Sequence, residues 1–266
     1  SITGVSVSKL FLGSVIPGVL LALVLAGYAL FYGKKHDLPA HERKSPKEIV
    51  CTVKDGIWAL LMPVIILGGI FGGIFSPTES AAVAVIYALL ISFFVYKDMK
   101  LKDFASVLID SSISTATILM MVGLSKSSSY VVTVSGLPET ILSGFASFTD
   151  SPIVILLLIN ILFLIIGMLM EANAAIVMMT PLLLPLMKAF GIDIIQFGIV
   201  MSFNMCIGLI TPPVGICMLM GNQLAGSKLS AALKAVAPML LMSLIILMLI
   251  TYIPALTTWL PGFLAE

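Results

Sequence analysis

The chain has little charge. Among 266 residues only 14 are lysine or arginine and 13 are aspartate or glutamate, 10% charged in all, where an ordinary globular chain carries roughly 25%. So few charges cannot cover a water-facing surface. The net charge of +1 also excludes the broad basic field that nucleic-acid binding requires. Histidine is nearly absent: His36 and His41 both sit in a polar loop and read as solvated. The three cysteines, Cys51, Cys206 and Cys217, have no metal-ligand spacing; Cys206 and Cys217 fall in apolar runs and read as small core residues. A GxxxxGK[ST] phosphate loop is missing, which excludes ATP hydrolysis by this chain and leaves no nucleotide cofactor to expect. Clustered acids and histidines inside apolar segments, which a membrane-embedded enzyme would need, are missing as well; only Glu171 qualifies. The chain reads as no enzyme.

Apolar sequence fills the space. Hydrophobic residues make up 60%, and the mean hydropathy is +1.18. The short in-and-out alternation of barrel strands does not occur, so the fold class is an all-α membrane protein, a polytopic helical bundle. Residues 11–32 suffice to cross the hydrocarbon. The polar loop 33–48 holds Lys34, Lys35, Arg43, Lys44 and Lys47, the strongest positive cluster, which places it in the cytoplasm and the amino terminus outside. Residues 57–75 return outward, and 80–96 run back to Lys97, Lys100 and Lys102. Between them Ser76, Pro77 and Glu79 match a helix start with a capping box. Gly68, Gly69, Gly72 and Gly73 make a face where another helix can approach closely. Residues 103–112 are expected along the interface and 113–134 across it. Ser227, Lys228 and Lys234 mark a further cytoplasmic edge, after which 235–260 cross outward with Trp259 as an interfacial anchor. The carboxyl terminus is then outside. The segments predicted are 1–105 as scaffold helices, 106–151 as a connecting span and external loop, 152–222 as a transport-domain hairpin and broken helix, and 223–266 as a C-terminal span.

Two interruptions fall within 152–222. Residues 152–187 as one straight helix would be roughly 54 Å long, nearly twice the hydrocarbon core. Two half-helices folded back at GMLMEANAA, from Gly167 to Ala175, fit better, as a re-entrant hairpin entering from outside. A hairpin at 113–134 with a span at 152–187 gives the same sidedness, and charge counting does not separate the two. The second interruption is GLITPPVG, from Gly208 to Gly215. Proline lacks the amide hydrogen and clashes with the preceding turn, and Pro212 biases Thr211 away from helical angles. Backbone freed in this way must be buried in protein or line a wet cavity, and paired breaks near mid-membrane point to an ion or substrate site. Carbonyl, hydroxyl and amide oxygens suit an alkali cation. The bland alternative is a proline kink satisfied by neighbouring helices. Glu171 reads either as a proton relay or as a loop marker. The many methionines read as packing.

The runs GGIFSPTESAAVAVIYALL, GMLMEANAAIVMMTPLLLPL, FGIVMSFNMCIGLITPPVG and TYIPALTTWLP together resemble the large membrane subunit of tripartite ATP-independent periplasmic (TRAP) transporters, over nearly the whole chain. The resemblance implies a bacterial inner-membrane, sodium-coupled, elevator-type symporter built from two inverted repeats, of which this chain is the second. It implies three further components: a periplasmic substrate-binding protein that delivers an acidic organic solute such as sialic acid or a C4-dicarboxylate, a small membrane subunit, and the missing first repeat, with its half of the cavity and one sodium site. Ser1 in place of an initiator methionine and the lack of a signal peptide agree with a segment of something longer. The ion-binding residues expected are Gly167, Asn173, Gly208, Thr211 and Val214, holding Na+. Asn173, Pro212, Lys126 and Ser127 are the candidates for the solute. Lys126 departs from the family, whose members are usually apolar or aromatic there. It lies about 13 residues into a span, too deep to snorkel, so it needs a partner or a water-filled cavity. A solute carboxylate, Glu171, a hairpin carbonyl or a subunit contact would each serve. The alternative function is a non-transporting scaffold or assembly subunit; a channel would want a repeated, symmetric filter.

Overall fold

A computed structural model describes residues 3–36, 45–136, 140, 144, 151–212, 215–226 and 229–264. Ten α-helices account for most of the described residues, and none of these residues is in a strand. Among the described residues, six helices are long and apolar enough to cross a membrane, with Gly56–Phe71 and Ile194–Gly208 as shorter apolar segments. The chain is thus an all-α, polytopic membrane protein. It divides into two compact units, His36–Thr115 and the combination of Ser1–Lys35 with Ala116–Glu266. The packing therefore groups the first helix with the hairpin segment, and not with the helices that follow it in sequence.

In the unit His36–Thr115, α2 (Pro46–Phe71) and α3 (Pro77–Leu90) pack as a pair. The turn between them is set by backbone chemistry. Gly73 has φ +66°, a left-handed angle that glycine reaches without steric penalty. The amides of Ile74 and Phe75 both donate to Gly69 O, at 3.0 and 3.1 Å. The capping box forms as expected: the Ser76 amide donates to Glu79 Oε2 at 2.7 Å, and the Glu79 amide donates to Ser76 Oγ at 3.3 Å. Within this unit one member of the glycine face is already used: a Cβ on Gly69 would meet Phe75 Cδ2 at 2.6 Å, while Gly68 and Gly73 have nothing within 4 Å. Gly69 thus gives room to the Phe75 of its own turn. The Tyr87 hydroxyl donates to Trp58 O at 2.7 Å, and α3 runs on into a π-helical turn, Ile91–Tyr96.

Helix α4 (Leu101–Val134) corrects a second expectation. The predicted interfacial segment 103–112 and the crossing segment 113–134 are one continuous helix of 34 residues. No proline or glycine occurs from Leu101 to Val122, so nothing stops propagation. The proposed hairpin at 113–134 is excluded by the same continuity.

The larger unit holds α1 (Val7–Lys35), α5 (Pro152–Leu169), α6 (Ala172–Ala189), α7 (Ile194–Gly208), α8 (Ile216–Ala225), α9 (Leu229–Tyr252) and α10 (Ala255–Leu264). One core joins Ile155, Ile159 and Phe163 of α5, Leu183 and Met187 of α6, and Phe197, Met201 and Met205 of α7. Ile155 near the start of α5 and Met187 near the end of α6 share it, as expected when α6 runs back along α5. The Phe163 and Phe197 rings lie 5.9 Å apart. A second core joins Val200 and Ile207 of α7 to Ile246, Leu247 and Ile250 of α9. Helix α7 begins at Asp193, whose Oδ1 accepts from the Ile195 and Gln196 amides at 2.8 and 3.0 Å. This cap places the start of the broken helix at Ile194.

Two further expectations change here. The predicted span 235–260 is two helices, because Pro254 removes an amide donor and disfavours the helical angle at Ile253. The second piece, α10, turns onto α1 and α7. Gly13 of α1 makes that approach possible: a Cβ there would lie 2.5 Å from both Thr257 O and Ile199 Cδ1. Cys206 and Cys217 are exposed, not core. An apolar run in a membrane chain has no water-avoiding side, so lying in such a run does not bury a residue in the protein.

Candidate functional site

The first interruption reverses the chain within two residues. Helix α5 stops at Leu169, Met170 is extended (φ −122°, ψ 157°) and Glu171 caps α6. Glu171 Oε2 accepts from the Ala174 amide at 2.9 Å, and Oε1 accepts from Asn173 Nδ2 at 2.8 Å. The carboxylate thus satisfies an amide that the first turn of a helix leaves without a partner, and it faces the positive end of the helix dipole. Glu171 is therefore a helix cap at the turn between α5 and α6.

The second interruption runs from Leu209 to Gly215, between α7 and α8. The chain leaves α7 through tightened turns: the Ile210 amide donates to Ile207 O at 3.1 Å and the Thr211 amide to Gly208 O at 3.0 Å. Thr211 is buried, and its hydroxyl donates to Ile207 O at 2.6 Å. Gly215 has φ +44°, where a side chain is strained, and the Cys217 amide reaches back to Leu209 O at 3.1 Å.

The two interruptions meet. Helices α5 and α7 pack on each other more extensively than any other pair of elements, and at their C-terminal ends the contact is backbone on backbone. A Cβ on Gly208 would lie 2.6 Å from Gly167 Cα, and one on Gly167 would lie 3.3 Å from Gly208 Cα. Beside this contact is a cavity of about 50 Å³, lined by Gly167, Met170, Glu171, Gly208, Leu209 and Gly215, among others. A water in the liquid takes roughly 30 Å³, so the cavity suits an ion or a water or two, and is far too small for an organic acid. Two helices, α5 and α7, end at it. Each presents the negative end of its dipole, which favours a cation; on α7 the Ile207, Gly208 and Leu209 carbonyls each already accept from the chain that follows and keep only their remaining lone pairs. The start of α6 carries the opposite partial charge, and Glu171 offsets it. The start of α8, at Gly215, has no side-chain cap; its Cys217 amide is taken by Leu209 O, and the rest of its first turn keeps a positive partial charge beside the cavity.

Of the residues expected from sequence, the structure brings Gly167 and Gly208 to this cavity. Asn173 is exposed and reaches the lining only through its bond to Glu171. Thr211 is buried one step beyond, with its hydroxyl hydrogen committed to α7, and Pro212 is exposed. Val214 lies outside the described residues, as do His41 and the side chain of Lys126. Ser127 is exposed on α4, its hydroxyl donating to Gly123 O at 3.3 Å within the same helix; the described contacts give it no tie to the cavity. Met170, Leu209 and Gly215 were not singled out by the sequence. The signal was present in Gly215, the glycine that ends the interrupted stretch.

Comparison with known proteins agrees with this architecture. Residues 1–256 match the family model of the tripartite ATP-independent periplasmic transporter, DctM component. The C4-dicarboxylate TRAP transporter large permease protein DctM of Pseudomonas aeruginosa is 39% identical over 262 residues, covering 98% of this chain and 61% of that protein. The isethionate TRAP transporter permease protein DctMQ of Oleidesulfovibrio alaskensis is 38% identical over 258 residues, covering 97% of this chain and 41% of that protein. The sialic acid TRAP transporter permease protein SiaT of Haemophilus influenzae is 34% identical over 259 residues, covering 97% and 42%. The chain thus spans about half the length of these relatives, all three of which are named as transporter permeases. With a match that runs through both interruptions and most of the remaining helices, this chain belongs to the DctM component family of tripartite ATP-independent periplasmic transporters.

Proposed function

We propose that the chain forms part of a bacterial inner-membrane permease that takes up an acidic organic solute in symport with sodium. The observation that carries this reading is the meeting of two helix C-termini, at Gly167 and Gly208, around a cavity of about 50 Å³. That volume and that polarity suit a bare cation. The uncapped start of α8 supports an anionic solute next to it. Gly167 and Gly208 would offer carbonyl ligands. Thr211, Asn173 and Val214 complete the proposed ion set through the oxygens around them. Lys126, Ser127, Pro212 and Asn173 remain the proposed solute contacts. The names of the relatives put C4-dicarboxylates, isethionate and sialic acid among candidate solutes. Membership of the family supports delivery by a periplasmic binding protein and assembly with a small membrane subunit. On the charge pattern the carboxyl terminus is periplasmic.

For the transport step we take an elevator movement in which the unit that carries both interruptions travels. The packing of α1 on α7, α9 and α10 makes α1 part of that moving body in our reading, where the sequence alone had assigned it to the scaffold. A scaffold subunit without transport would have no use for two interrupted helices joined at their ends.

The test is solute uptake into proteoliposomes that hold the complete complex and its binding protein, with sodium or potassium outside. Uptake should require sodium. Thr211→Val, which keeps the shape and removes the hydroxyl oxygen, should raise the sodium concentration for half-maximal uptake while the complex still assembles. Uptake at the same rate in potassium would overturn the sodium reading, and unchanged sodium dependence in Thr211→Val would remove that residue from the site.

A further inference from the structure

Seven residues before Gly167 and four before Gly208, on the same helix faces, lies a buried chain of side-chain amides. Asn204 Nδ2 of α7 donates to Asn160 Oδ1 of α5 at 2.7 Å and to Val200 O at 3.1 Å. Asn160 Nδ2 donates to Thr251 Oγ1 of α9 at 2.9 Å, and that hydroxyl donates to Leu247 O at 2.7 Å. Gln196 Nε2 donates to Thr251 O at 2.7 Å. Asn160 and Asn204 are 0% exposed, Thr251 1% and Gln196 3%. Three helices are therefore tied at one level by bonds that each require one particular partner.

We propose that Asn160, Asn204 and Thr251 are positioning residues for the ion cavity: they fix the axial register of α5 against α7, and so hold Gly167 against Gly208. This rests on the sodium reading given above. Helices advance about 1.5 Å per residue, so a slip of one residue breaks the 2.7 Å Asn204–Asn160 bond and removes one glycine from the other. The glycine contact has no directional bond of its own. The apolar faces around it, such as Phe163 on Phe197, carry no directional bond. Among the described residues, the amide pair is the side-chain hydrogen bond that joins α5 directly to α7.

Cohesion alone does not account for the pair. Asn204 Oδ1 is buried with no hydrogen-bond partner among the described residues, and such an acceptor is a penalty that an apolar pair of similar volume would avoid. A buried asparagine that sets register at the expense of stability is a known device in coiled coils. Thr251 supplies the backing. It orients Asn160 so that its oxygen faces Asn204, and Gln196 anchors the end of α9 that carries Thr251.

The experiment uses the complete permease complex and measures three quantities: stability without sodium, sodium half-saturation, and solute half-saturation at saturating sodium. Sodium half-saturation is read both from uptake and from sodium-dependent thermal stabilisation. Thr251→Val removes the acceptor for Asn160 and keeps the shape. We expect sodium half-saturation to rise about threefold, the ratio that matches an average interhelical membrane hydrogen bond of about 0.6 kcal/mol. Solute half-saturation at saturating sodium should not change, and Thr251→Ser should restore the wild-type value. The paired variant Asn160→Leu with Asn204→Leu should fold at least as stably as the wild type and still bind sodium more weakly; it keeps the test open if Thr251→Val fails to fold. Loss of sodium-free stability with unchanged sodium half-saturation, or failure of Thr251→Ser to restore it, would make the network simple glue and overturn the proposal. A wild-type complex with no response to sodium would overturn the underlying sodium reading, and that outcome is visible before any variant is made.

Discussion

Gly208→Ala and Gly167→Ala are the same chemical change on two sides of one contact, and the structure gives them different outcomes. The alanine Cβ at position 208 would lie 2.6 Å from Gly167 Cα and closer still to the Gly167 carbonyl, whereas ordinary contact begins near 3.4 Å, so the helices must part by at least about 0.8 Å. The obstructing atoms are backbone at the closed end of a packed helix pair, and they have no rotamer to change. Overpacking of this kind costs about 1–3 kcal/mol. In the reverse case the Cβ at 167 would meet Gly208 Cα at 3.3 Å and Met205 at 3.5 Å, which a few tenths of an ångström relieve. Against both stands the helix preference of alanine over glycine, about 0.8–1 kcal/mol in a helix interior. That gain is smaller at Gly208, the last residue of α7. Gly167→Ala should therefore come out near neutral, and Gly208→Ala clearly destabilised. The parted helices also open the ion cavity on one side, so sodium half-saturation should rise in Gly208→Ala by more than in Gly167→Ala. Thermal unfolding of the purified complex, with and without sodium, reads both effects. If Gly208→Ala matched or exceeded Gly167→Ala in stability, α5 and α7 would not meet backbone to backbone, and the cavity described beside them would not stand.

Glu171→Ala removes the acceptor for the Ala174 amide and should cost roughly 0.5–2 kcal/mol, seen as a lower unfolding temperature. Glu171→Gln keeps an acceptor oxygen and should retain both uptake and its pH profile; a flattened or displaced profile would make the carboxylate a proton carrier instead of a cap. Gly13→Val would drive a side chain into Thr257 O and Ile199 Cδ1 and lift α10 from α1. It should destabilise the complex by about 1–3 kcal/mol, whereas Gly27→Val, with nothing within 4 Å of its Cβ, should leave the unfolding temperature unchanged. Equal unfolding temperatures for the Gly13 and Gly27 variants would contradict the close packing of α1 on α10.

Much of this protein was legible from local chemistry. Low charge and long apolar runs determine a helical membrane protein, because hydrocarbon cannot satisfy backbone groups in any open structure. Ser76-Pro77 with Glu79 determines a helix start from three neighbouring residues. Both interruptions were visible for the same reason: Pro212 and Pro213 cannot continue a helix, and a carboxylate at Glu171 has no place on a lipid-facing one. The position of the break at Pro254 was equally available, since its cause is a single residue, yet the apolar run on both sides concealed it. What lies across space was decided only by the tertiary structure. That Gly167 meets Gly208 depends on the register of two helices, and no local pattern encodes it. Cys206 and Cys217 stand in apolar sequence but are exposed, because hydropathy in a membrane chain reports the solvent and not the interior. The amides of Asn160 and Asn204 look like isolated polar residues in apolar runs until packing places them 2.7 Å apart. The grouping of α1 with the hairpin likewise follows from Gly13, whose missing side chain allows a contact with a helix more than two hundred residues later.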